Sequence, residues 1–172
     1  MILDGIIFIF LNLCGLFFVA FFLSFTSKRR RVLLYLWHFM FCIAYIFYGE
    51  FNLSDSHTYY YVAKNFDVSF GLGTPLISIL LKPFLSIGFG YYSSHFFFNL
   101  IGTVGLIMFD SVLQSLPKSR LKIVNSLVLI TPFIPTLSFW TSAIGKDGIA
   151  FFGVVLFLYA YSQQPRRLVL GL

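Results

Sequence analysis

Charge in this chain is pushed to the ends of long apolar runs, an arrangement that folds in lipid and not in water. Ile6 to Phe25 contains only Asn12 and Ser24 as polar interruptions and is followed at once by Lys28, Arg29, Arg30 and Arg31. About 20 such residues cross the ~30 Å hydrocarbon layer of a bilayer. The rest of the composition agrees: 59% of the residues are hydrophobic and 10% charged, too little polar surface to cover a soluble domain of this size. With 172 residues there is room for about five spans, hence an all-α polytopic bundle forming one transmembrane domain over 1–172.

The spans read as about 6–25, 32–48, 96–113, 123–140 and 148–162. The second is short and carries Trp37, Tyr45 and Tyr48 as interfacial anchors. The last two come from one apolar stretch, Ile123 to Tyr161, whose 39 residues would make a helix about 58 Å long, so it must fold back on itself. The break belongs between Trp140 and Gly148, because Lys146 and Asp147 would each cost about 2.5–3.5 kcal/mol at a helix centre. Pro132 and Pro135 kink the span before it.

Residues 49–94 form the longest polar connection. Ser54 to Phe66 reads as a short juxtamembrane helix along the membrane surface, with Ser54 or Asp55 as N-cap and Tyr59, Val62, Ala63 and Phe66 on one stripe. Pro75 to Ile87, apolar but interrupted by Lys82-Pro83, reads as a re-entrant or interfacial segment.

Nine Lys and Arg residues (28–31, 118, 120, 122, 166 and 167) fall on one side of this arrangement, and three (Lys64, Lys82, Lys146) on the other. The nine-cation side is expected to be cytoplasmic, with the N-terminus outside. Met1 to Gly5 carries Asp4 and no Lys or Arg, so the first run is a retained helix and not a signal peptide. The formal charge of +6 does not imply nucleic acid, because the cations mark span ends and form no face interleaved with stacking aromatics. Cys14 and Cys42 lie inside apolar runs and read as small buried residues, with no disulfide or metal framework. No internal repeat is evident. Leu168 to Leu172 resembles the opening of a further span, as expected of a fragment of a longer protein.

Two polar clusters share the outer side. Asp55, in Leu53-Ser54-Asp55-Ser56-His57-Thr58-Tyr59, is placed to act as a general base or to bind a divalent cation; the simpler reading is a helix cap. Lys146 and Asp147 follow Ser142 at the start of a span, where free N–H groups and the ammonium would suit a lipid phosphate; a polar turn whose lysine reaches headgroups explains them equally well. His57 and Tyr59, beside Asp55, are further candidates for substrate contact. The plainer reading of His57 is a solvated loop histidine, and His38 and His95 are weaker candidates. Gly102-Thr103-Val104-Gly105 reads as a helix-packing surface.

At these clusters the sequence resembles bacterial membrane glycosyltransferases of the GT-C superfamily and related polysaccharide polymerase-like proteins. The likeness rests on Asp55 with Thr58 to Ala63, on Gly73-Thr74-Pro75-Leu76, and on Pro135 to Asp147. It implies a bacterial inner-membrane enzyme of cell-envelope glycan assembly with a polyprenyl-phosphate-linked sugar as donor, and with other envelope-assembly proteins as partners. It puts the role of base or metal ligand on Asp55. Ser56 stands where many members carry a second acidic residue. The competing expectation is a non-enzymatic multi-pass protein: a channel or transporter subunit, or a structural partner.

Overall fold

The computed structural model describes residues 2–67, 70–71 and 73–163. The regular structure in that range is all helical, without a strand among the described residues. Its elements are α1 (Ile2–Phe21), α2 (Lys28–Phe51), α3 (Asp55–Asn65), α4 (Thr74–Ser86), α5 (Tyr91–Ser115), α6 (Lys122–Ile130), a 3₁₀ turn (Thr131–Phe133), α7 (Pro135–Thr141) and α8 (Lys146–Gln163). Four segments are long and apolar enough to cross a membrane: α1, α2, α5 and the interrupted rod Lys122–Thr141. The expected fifth span is helical as α8, but Lys146 and Asp147 in its first turn leave it outside those four. The residues that read as the opening of a further span, together with Arg166 and Arg167, lie outside the described residues.

The interruption in the rod has a local cause. Pro132 and Pro135 lack the N–H that an α-helix needs, so the chain makes one 3₁₀ turn and restarts with Pro135 as the first residue of α7, a position where the missing donor costs nothing. At the end of α4, Gly88 adopts φ +91°, a left-handed conformation that lets Phe89 N–H close back on the Phe84 carbonyl at 3.0 Å.

Lipid is as apolar as leucine, so these helices are held by close backbone approach and polar contacts more than by water exclusion. A Cβ added at Gly105 would lie 3.2 Å from Phe152 of α8, and one at Gly102 would lie 2.2 Å from the Thr141 carbonyl. The Gly102 to Gly105 stretch is therefore the packing surface expected of it. Asn12 joins three helices: Tyr35 donates to its backbone oxygen at 2.8 Å, and Asn99 Nδ2 donates to its Oδ1 at 3.0 Å. Outward, α1 presents Ile6, Ile9, Phe10, Leu13 and Phe17, all exposed, as a lipid-facing helix requires. Cys14 belongs to that exposed face, against the expectation that both cysteines are buried; Cys42 alone is. An apolar run does not tell which of its faces meets lipid.

Charged side chains close the helix ends. Asp4 accepts hydrogen bonds from the backbone N–H of Gly90, Tyr92 and Ser93 (3.2, 2.8 and 3.0 Å) and so satisfies the free donors at the start of α5 with a charge its dipole favours. At the opposite end, buried Arg31 donates to the Val19 and Ala20 carbonyls at 3.1 Å each, closing the C-terminus of α1 in the complementary sense. The starts of α1 and α5 therefore share one end of the bundle, and the end of α1 and start of α2 share the other.

The turn joining α7 to α8 sits deep in this frame. Thr141 packs against Gly102, near the middle of the 25-residue α5, and His38, near the middle of the 24-residue α2, meets the same spot. At 1.5 Å per residue that is roughly 16 Å along α5 from its N-terminus. Thr141, Ser142, Ala143 and Ile144 are all buried. Beside the turn, α3 and α4 cover the half of the bundle where α5 begins: Tyr59, Ala63, Ile77 and Leu81 pack on Phe98 and Ile144.

Candidate active site

Asp55 is the first residue of α3, and its neighbours decide where it faces. Ser56 Oγ lies 2.7 Å from the Tyr91 hydroxyl and 2.9 Å from Ser54 Oγ, and the His57 ring stacks on Tyr91 at 4.2 Å and 11°. Three of four consecutive polar side chains are thus tied to one another or to α5, and Asp55 alone is left exposed. The cap reading of Asp55 does not hold: Ser54 occupies the N-cap position and no side chain closes that end of α3.

Asp55 lines a small recess together with Tyr45, Tyr59, Trp140, Ala143, Ile144, Gly145, Lys146 and Asp147. Tyr45, Tyr59, Ala143 and Ile144 are buried, whereas Asp55, Lys146 and Asp147 are exposed. The recess holds about 30 Å³, space for about two waters, so its chemistry belongs to the charged rim. Among the described residues the ion pairs within 4 Å are Arg30–Asp110 and Lys82–Asp67, which leaves all three rim charges uncommitted.

The rim owes its shape to the deep turn. Gly148 allows the first turn of α8 to approach the Thr141 carbonyl so closely that a Cβ would stand 2.6 Å from it, and this holds Lys146 and Asp147 at the helix start. The N-terminus of an α-helix carries free N–H groups and about half a positive charge. Lys146 adds a full charge there, partly offset by Asp147 beside it, and Asp55 stands across the opening. Such a rim can receive an anionic group on one side and take a proton on the other.

Not every sequence candidate reaches this rim. Asp55, Tyr59, Lys146 and Asp147 come together. His57 is spent on Tyr91, and Ser142 is buried with its hydroxyl 3.3 Å from the Phe139 carbonyl that accepts from it. Tyr60 packs edge-on against Tyr91 at 5.5 Å; burial, and secondarily the Asp4 charge, raise its pKa, so it stays a phenol. Sequence reasoning missed the aromatic walls, Tyr45 and Trp140. It also missed a polar face of α5 on which half-buried Tyr91 and buried His95 and Asn99 follow at four-residue spacing, visible in the sequence as one helical stripe.

No three His, Cys, Asp or Glu side chains gather closely enough to hold a metal ion among the described residues. The rim offers two carboxylates, Asp55 and Asp147, a set that suits a hard divalent cation shared with a phosphate ligand better than one caged by protein alone. No protein-family model, curated protein or solved structure matches the chain.

Proposed function

We propose that the recess is the reaction site of an outward-facing membrane glycosyltransferase that takes its sugar from a polyprenyl-phosphate-linked donor, for assembly of a cell-envelope polysaccharide. The observation that carries this reading is the meeting of Asp55 with Lys146 and Asp147, residues far apart in sequence, on one exposed rim. Asp55 removes the proton of an acceptor hydroxyl as that oxygen attacks the anomeric carbon. Lys146 and the α8 N-terminus stabilise the charge on the departing lipid phosphate. Trp140, exposed at the edge of the recess, supplies the aromatic surface against which a sugar ring rests, with buried Tyr45 and Tyr59 lining the recess beside it.

The orientation follows from charge. The cations at the start of α2 and around the start of α6 mark the cytoplasmic end, and the rim opens toward the other.

General-base catalysis contributes about 10²- to 10⁴-fold. In the full-length protein, Asp55→Asn is expected to lower transfer from a polyprenyl-phosphate-linked sugar by that factor, while Lys146→Gln weakens use of the donor. Full activity in Asp55→Asn would overturn the assignment and return the chain to the non-enzymatic reading.

A further inference from the structure

At the opposite end of the bundle the charges do not balance. Of the chain's six acidic residues, Asp4 and Glu50 lie near the start of α5, Asp55 and Asp147 on the rim, and Asp67 beside Lys82. Asp110 alone is left at the basic end, buried and gripped by Arg30. Arg31 is occupied by the carbonyls of α1. Lys118, Arg120 and Lys122, between α5 and α6, are exposed and form no ion pair among the described residues.

Beside these cations is an apolar groove of about 360 Å³ between the end of α5 and α6, walled by Leu113, Leu116, Val124, Val128 and Leu129 with Lys118 on its edge. The connecting loop is pinned there. Asn125 Nδ2 donates to the Ser119 carbonyl at 3.0 Å, and Ser119 N–H donates to Asn125 Oδ1 at 2.9 Å. This reciprocal pair holds Lys118 against the groove. α6 itself buries no residue, so the groove opens to the surrounding lipid.

We propose that this groove is a binding site for one anionic phospholipid, an acyl chain lying between α5 and α6 and the headgroup phosphate held by Lys118, Arg120 and Lys122. Charge complementarity selects the occupant. A second apolar groove, about 310 Å³ between α1 and α2, carries Glu50 and no cation in its lining, and it therefore gains nothing from an anionic headgroup. Each cation near an anionic headgroup contributes about 1 kcal/mol, roughly a fivefold preference.

Native mass spectrometry of the full-length protein in detergent, titrated with dioleoylphosphatidylglycerol and dioleoylphosphatidylcholine, tests this. One phosphatidylglycerol is expected to be retained in preference to phosphatidylcholine. Lys118→Gln, Arg120→Gln and Lys122→Gln together should abolish the preference. Val128→Trp, which fills the groove and keeps every cation, should remove the retained lipid, whereas Ile43→Trp in the second groove should not; helical content by circular dichroism confirms that each variant is folded. Equal retention of both lipids by the wild type, unchanged retention in Val128→Trp, or occupancy of the face by a second copy would each overturn the proposal.

Discussion

Arg30 grips both carboxylate oxygens of Asp110, Nε donating to Oδ1 and Oδ2 at 2.9 and 2.8 Å and Nη2 to Oδ1 at 2.6 Å. The pair ties the first turn of α2 to the last third of α5. Gln114 adds a third donor to the Asp110 carboxylate, and Arg30 Nη2 also donates to the Leu129 carbonyl at 2.7 Å. Asp110 is wholly buried while the Arg30 side chain is 22% exposed, so removing the guanidinium strands a charge in a low-dielectric interior.

Arg30→Met is accordingly expected to destabilise the protein by about 3–5 kcal/mol, whereas Arg30→Met combined with Asp110→Leu should recover most of that loss. Denaturation in mild detergent checks both. A single variant as stable as the wild type would mean that the pair is incidental.

Asp4 acts where α1 and α5 begin together. Asp4→Ala leaves the N–H groups of Gly90, Tyr92 and Ser93 without their carboxylate and should cost about 0.5–2 kcal/mol. Hydrogen exchange should quicken at those amides first. Unchanged protection there would show that solvent or headgroups serve that helix end equally well.

Gly102 is the point on which the deep turn rests. Gly102→Ala sets a Cβ 2.2 Å from the Thr141 carbonyl, a backbone atom that cannot move alone, and should cost about 1–3 kcal/mol. Gly153→Ala, with nothing within 4 Å, should be neutral or stabilising in the same helical context. Equal stabilities of the two variants, measured by thermal unfolding, would contradict the close approach.

Much of this bundle was legible because lipid demands long apolar runs, and long runs are hard to misread. Helix ends were less so. The first span extends back to Ile2 because Asp4 meets the start of α5 and not water, and α2 begins at Lys28 because Arg30 and Arg31 find partners in other helices. Hydropathy records neither event.

The site was half legible. Asp55 and the Lys146-Asp147 pair stood out as outer-side charges; the fold-back followed from length, and its place between Trp140 and Gly148 from the cost of Lys146 and Asp147 at a helix centre. What a sequence does not carry is the height of that turn, set by a carbonyl on Gly102, or the stacking that spends His57 on Tyr91. Tyr45 and Trp140 look like ordinary membrane aromatics until α2 and α7 are set side by side.

The most direct measurement is a proximity test on the rim. With Cys14 and Cys42 replaced by serine, the full-length protein carrying Asp55→Cys and Lys146→Cys is treated in membranes with a short bis-maleimide, and the cross-link is read by mobility after cleavage between α3 and α8. The account predicts efficient cross-linking for this pair and none for Asp55→Cys with Lys118→Cys. Failure of the first pair, with both cysteines reactive toward a single maleimide, would contradict a shared rim and with it the proposed site.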